Sequence, residues 1–153
     1  MTNLYQEGMA RLERGEVEEG RRMLEEALQA NPGAVEVMHG LALALDMAGE
    51  RLEARTLLER AHALAPTDPD TACDLSMMYL ELEANPRAAQ VLQPALAAHP
   101  EDPRLHLHMA MALAKTDTVS AREYAQKALA ASEPDLHHQA ETLLRALEAI
   151  SPS

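Results

Sequence analysis

The side chains able to do covalent or metal chemistry are few, and their spacing suits neither. Seven histidines (His39, His62, His99, His106, His108, His137 and His138) and one cysteine, Cys73, are the candidates. A helical zinc site of the metalloprotease type sets two histidines four residues apart on one face. His106 and His108 are two apart, which puts them on different faces of any helix, and no His-x-x-x-His spacing occurs. There is no Gly-rich phosphate loop and no Gly-x-Ser-x-Gly elbow. The histidines read as solvated or half-buried imidazoles, Cys73 as a small apolar filler, and the carboxylates as solvated helix faces. No catalytic residue, metal or cofactor is expected. What does recur is an apolar position held by methionine in three of four frames: Met9, Leu43, Met77 and Met111 are spaced 34 residues apart. Flexible, polarizable thioethers suit a surface that accepts more than one apolar side chain.

The elements that position these residues are helices. The 153 residues include 29 Ala, 24 Leu and 9 Met against five Val and one Ile, with no Phe and no Trp. Ala, Leu, Met, Glu and Arg are good helix formers, whereas strands favour β-branched and aromatic side chains, so an all-α fold follows from composition. The net charge of −12 and a pI near 4.9 disfavour nucleic acid and anionic membranes as partners. One cysteine excludes an intrachain disulfide, and MTNLYQEGMA lacks the basic and apolar regions of a secretory signal. The longest apolar stretch, Leu41 to Leu45, is far too short to span a bilayer. A soluble cytoplasmic protein is the expectation. Arg in excess of Lys, with abundant Ala and Leu, fits a bacterial high-GC genome.

The chain repeats itself. Pro32, Pro66, Pro100 and Pro134 are each 34 residues apart. Gly8, Ala42, Ser76 and Ala110 keep the same beat and are all small; so do Gly20, Ala54 and Ala88, and again Ala27, Ala61 and Ala95, with Leu24, Leu58 and Leu92 between them. Such a pattern describes one helical hairpin per repeat, in which small residues let two antiparallel helices approach and leucine fills the space beside them. Gly15 and Gly49 fall at the turn, and the recurrent proline ends the second helix. Asn85–Pro86 reads as an N-cap with proline in the first turn. Glu83 stands at the turn of the third repeat, and Pro94 should kink its second helix or shift its start.

This arrangement resembles the tetratricopeptide repeat (TPR) family, whose repeat is also a 34-residue helix–turn–helix. The frames are 1–34, 35–68, 69–102 and a fourth from 103 to about 134–136. In the fourth, Ala121, Ala125 and Ala128 match the small and large places only with one residue deleted near Thr116–Thr118 and one added before Pro134. Glu7 and Arg11 replace Leu41 and Leu45 of the second frame, as suits a first repeat with nothing before it. Residues 135–150 carry an apolar stripe at 136, 140, 143, 144, 147 and 150, with Leu144 where the repeats have a small residue, which suits a terminal capping helix. The chain thus reads as a single solenoid domain over 1–153, four hairpins plus a cap, or equally as a complete domain of something longer.

The resemblance implies a right-handed superhelix whose first helices line a concave groove that binds a peptide or partner helix. Its expected lining is Tyr5, Met9, His39, Leu43, Met47, Cys73, Asp74, Met77, Glu81, Leu107, His108 and Met111, while Met38, Met78 and Met109 are expected in the core. The family's Lys/Arg/Asn clamp for a chaperone's C-terminal carboxylate is not present: Tyr5, Met9, Leu43, Cys73 and Met77 stand at the corresponding places. The third frame is the most acidic and the fourth is neutral, so a partner that is apolar on one face, with basic residues near repeats two and three, is expected. A non-enzymatic adaptor, scaffold or chaperone-like module follows. The alternatives are a self-assembling homo-oligomeric scaffold, in which the fourth repeat or cap meets the acidic third repeat of another copy, and a bacterial secretion-chaperone-like protein.

Overall fold

The computed structural model describes residues 3–150 and, among them, contains nine helices and no strand. The chain divides into two compact units, Met1–Ala65 and Pro66–Ser153. The first holds α1 (Leu4–Glu13), α2 (Val17–Ala30), α3 (Val35–Met47) and α4 (Arg51–Leu64); the second holds α5 (Pro69–Glu81), α6 (Asn85–Ala98), α7 (Pro103–Leu113), α8 (Thr118–Ala128) and α9 (Pro134–Ile150). The helices pair in sequence as α1 with α2, α3 with α4, α5 with α6 and α7 with α8, and α9 packs on α8 and α7.

The first three hairpins turn in the same way. Gly15, Gly49 and Glu83 take positive φ values of 80°, 83° and 57°. The following amide then reaches back five residues: Glu16 N–H donates to Arg11 O, Glu50 to Leu45 O and Ala84 to Tyr79 O, at 2.8–2.9 Å. This is the bond pattern of a Schellman motif, which prefers glycine at the left-handed residue because a Cβ is strained there. Glu83 bears that strain, and its ion pair with Lys115 spans 3.6 Å between two largely exposed side chains, an interaction worth little. Glu83→Gly is therefore expected to raise stability by about 1 kcal/mol, read as a higher midpoint in thermal melts followed by circular dichroism. A lower midpoint would show that the left-handed residue is not strained.

The fourth hairpin closes differently. Position 117, where the beat would place the turn residue, is Asp117, the N-cap of α8: its carboxylate accepts the Ser120 N–H at 3.1 Å. The turn closes through the Thr116 and Asp117 amides to Leu113 O, and this early start accounts for the missing residue near Thr116–Thr118. α8 then ends at Ala128, and Pro134 opens α9 instead of ending the second helix, as Pro32, Pro66 and Pro100 do two residues beyond α2, α4 and α6. Side-chain caps of the same kind come from Asn3, Asp68 and Asp102, the last two followed by Pro69 and Pro103 in the first turn. Asn85 is not such a cap. α6 begins at Asn85 after Ala84, which places Pro86 in its first turn. Pro94 neither moves that start nor ends the helix, which continues to Ala98.

The small residues lie where the helices meet. In the first unit, a Cβ built on Gly20 would fall 2.8 Å from the Gly8 carbonyl oxygen, and one on Gly8 would fall 2.8 Å from Leu24 Cγ. Leu24 is buried beside them, and Ala54, Leu58 and Ala61 are buried on α4, whereas Ala27 is only half-buried. In the second unit, Ala88, Leu92 and Ala95 are buried, and Ala110, Ala121, Ala125 and Leu147 form a cluster flanked by Leu143 and Leu144. Leu144 can stand at a small-residue position because α9 has no later helix among the described residues to accommodate.

Candidate partner-binding surface

The first helices carry the expected stripe, and the structure sorts its members by exposure. In the first unit, Tyr5 and Met9 of α1 are half-buried over α3, where a Cβ on Gly40 would meet Met9 Sδ at 2.9 Å and Tyr5 Cε2 at 3.3 Å. Gly40 makes room for them, so they pack between α1 and α3 and show one edge. On α3, His39 is half-buried, while Leu43 and Met47, one turn apart, are 41% and 45% exposed. Both are large apolar side chains that keep a substantial part of their surface open. Asp46 beside them is paired with Arg51 at 3.3 Å.

In the second unit, α5 brings Asp70, Asp74, Met77 and Glu81 to one face at helical spacing, and α7 does the same with Arg104, His108 and Met111, with Lys115 in the turn that follows. Met77, His108 and Met111 are half-buried and Asp74 and Glu81 exposed. Two expected lining residues do not belong to this surface. Leu107 is 2% exposed, in a cluster with Ala128 and Ala140, because α8 and α9 cover that side of α7. Cys73 is 5% exposed, and burial pushes its thiol up to about 12, so at neutral pH it is an uncharged, unreactive filler. Met38 and Met109 are buried as expected of core residues, while Met78 is half-buried.

The charges of α5 and α7 meet at the ends of these stripes. Arg104 Nη1 donates to Asp70 Oδ1 at 2.8 Å and its Nη2 lies 3.4 Å from Asp102 Oδ2; Lys115 pairs with Glu83. Part of the acidity of the third frame is thus answered by the fourth. Near the centre lies a bond that composition gave no means of finding. The hydroxyl of Ser76, which counted in the sequence only as a small spacer, sits 3.1 Å from His108 Nδ1. His106 is also more embedded than a solvated imidazole: it is 5% exposed, bonds Pro100 O at 2.7 Å and stacks on Tyr124.

Nothing among the described residues gathers three His, Cys, Asp or Glu side chains around a metal-sized space. Glu36–His39 and Glu59–His62 have the Glu-x-x-His spacing, but each stands without a third ligand. A shallow cavity of about 390 Å³ lies among α2, α3 and α4, lined by Glu25, Leu28, Gln29, Pro32, Leu41 and Arg60; Arg60 spans its edge to bond Pro32 O at 2.9 Å. No described helix is long and apolar enough to cross a membrane.

A family model described as tetratricopeptide repeat matches residues 11–72 and 47–115, more than half of the chain. The chain belongs to the tetratricopeptide repeat family. It is 32% identical over 99 residues to the TPR repeat-containing protein YpiA of Bacillus subtilis (strain 168), covering 65% of this chain and 23% of YpiA, so it spans about a quarter of that relative's length. Among solved structures, MamA from Desulfovibrio magneticus RS-1 superposes with a TM-score of 0.72 at 23% identity, over 98% of this chain and 96% of that one. YrrB, a TPR protein with an unusual peptide-binding site, does so with a TM-score of 0.76 at 17% identity, over 97% of this chain and 76% of that one. At these identities the likeness shows the fold: an all-α solenoid of antiparallel helix–turn–helix hairpins. TPR hairpins are protein–protein interaction modules, and the fold places this chain among them.

Proposed function

We propose that this TPR chain is a non-enzymatic cytoplasmic adaptor that holds a peptide or helix of a partner protein on the faces of its first helices. The observation that carries the reading is the exposure of Leu43 and Met47, with half-buried Met77 and Met111 at the positions equivalent to Leu43 in the later repeats. Apolar side chains left at least partly open at one repeat position, beside carboxylates, suit an apolar partner with basic residues. Peptide binding by YrrB, which shares the fold, supports the same use of this scaffold. Half-buried methionines can change rotamer to fit a side chain at small cost, so the surface favours apolar character over one exact shape.

The test is capture from lysate of the native host, comparing the parent chain with Met77→Glu/Met111→Glu and, separately, with Leu43→Glu, which alters an exposed position only. Each added charge must be desolvated on binding, so captured protein is expected to fall by about tenfold or more, with the helical circular dichroism spectrum retained. Unchanged capture by all variants would remove the assignment.

A further inference from the structure

Ser76 on α5 is fully buried, and its Oγ lies 2.8 Å from the Cys73 carbonyl oxygen and 3.1 Å from His108 Nδ1 on α7. A hydroxyl has one proton to give and lone pairs to accept with. The two distances divide those roles: 2.8 Å is ordinary for O–H···O, whereas 3.1 Å is within the range of N–H···O and long for a hydroxyl donor. Ser76 therefore donates to Cys73, in the i−3 pattern common in helices, and accepts from His108 Nδ1–H, with the imidazole also bonded to the Cys73 main chain. Burial holds the imidazole below its ordinary pKa, so the ring is neutral at pH 7 and carries a single N–H. With that proton on Nδ1, Nε2 is left with a lone pair. Ser76 is fully buried and His108 half-buried, and we take Nε2, on the ring edge away from Ser76, as the nitrogen a partner meets.

Building on the groove reading above, we infer that His108 Nε2 is a specificity-determining hydrogen-bond acceptor that selects an arginine of the partner next to an apolar side chain seated on Met77 and Met111. Arginine is favoured over a neutral donor by the charges around the ring. Asp74 is exposed on α5, and its field reaches His108. The opposing charge of Arg104 is compensated by Asp70 and Asp102. No basic residue occurs in α5 itself. Met111 lies three residues beyond His108 on the same face of α7, and Met77 directly follows Ser76, so an apolar side chain and an adjacent guanidinium can engage both features together. Ser76 acts through His108 as a positioning residue: it chooses the tautomer.

Two measurements on the full chain test this. First, nitrogen NMR of ¹⁵N-histidine-labelled protein at pH 7 should place His108 Nε2 in the pyridine-type range and Nδ1 in the pyrrole-type range, with Ser76→Ala moving both toward the tautomer-averaged values; the reverse assignment in the parent would overturn the proposal. Second, fluorescence anisotropy compares a labelled alternating leucine–arginine peptide with its leucine–glutamate counterpart. The parent should bind the arginine peptide, His108→Leu should weaken it by about tenfold, as expected for a hydrogen bond to a charged donor, and His108→Gln, whose amide oxygen accepts, should recover most of the affinity. Equal affinity of the parent and His108→Leu, or no preference for arginine over glutamate, overturns the inference. If Met77→Glu abolishes binding while His108→Leu does not, the groove reading stands and this one falls; if neither variant changes binding, the groove reading falls with it.

Discussion

Leu24→Ala should cost about 4 kcal/mol, toward the upper end of the usual 2–5 kcal/mol for such a truncation. Leu24 is fully buried, and its neighbours explain the position within that range. Its Cγ would lie 2.8 Å from a Cβ on Gly8 of α1, and its Cδ2 3.4 Å from one on Gly40 of α3. The leucine therefore occupies space left by two residues without side chains. When it is shortened, neither glycine has atoms to move into the gap, and the cavity closes only if whole helices shift. Thermal and urea unfolding followed by circular dichroism should show the midpoint falling by roughly 8–16 °C, at about 2–4 °C per kcal/mol for a chain of this size. A fall corresponding to about 1 kcal/mol would mean that α1 and α3 collapse over the gap. Gly8→Ala should cost less in the Leu24→Ala background than in the parent, where the methyl also collides with Leu24; its 3.2 Å approach to the Gly20 carbonyl oxygen is common to both. That difference is a coupling a double-mutant cycle can read.

The second large effect is expected at Gly20. Alanine there gains about 1 kcal/mol of helix propensity, but its Cβ falls 2.8 Å from the Gly8 carbonyl oxygen and 2.8 Å from Leu12 Cδ2. Leu12 can turn aside; a main-chain carbonyl held in α1 cannot. The helices must part, and overpacking of this kind costs about 1–3 kcal/mol beyond the propensity gain, so a net loss of about 2 kcal/mol is expected in urea melts. Gly33→Ala is the control, since a Cβ there meets nothing within 4 Å and the backbone does not have a positive φ; its midpoint should stay within about 0.5 kcal/mol of the parent. Equal behaviour of the two variants would show that the approach of α1 and α2 at Gly8 and Gly20 does not limit packing.

The helical hairpins were legible in the sequence because their causes are local and volumetric. A left-handed turn residue, a residue without bulk at a helix crossing and a proline past a helix end each impose a requirement that recurs with every repeat. Leu24, Leu58 and Leu92 are buried where their spacing put them. The same logic failed where a local signal competed with the beat. Asp117 caps α8 and advances its start, so α8 ends early and Pro134 opens a helix instead of following one. Asn85 carries the composition of a cap, yet the turn that begins at Glu83 brings Ala84 to the boundary.

The candidate surface was legible only in outline. The sequence alone placed Met9, Leu43, Met77 and Met111 at one repeat position, since helical periodicity determines which residues share a face. It did not separate Leu107 from Met111, or Cys73 from Met77, because each pair lies four residues apart, within one face of the helix. Which member is covered depends on what packs against that face, and for α7 this is α8 and α9. The bond from Ser76 to His108 joins residues 32 positions apart, a separation that no periodic rule marks as a hydrogen bond. The chain by itself determined the helices, their turns and the small residues at their crossings, all of which follow from backbone conformation and side-chain volume. Tertiary structure decided which members of the stripe are covered and that Ser76 meets His108 Nδ1, because burial and side-chain contact exist only once α5 and α7 lie side by side.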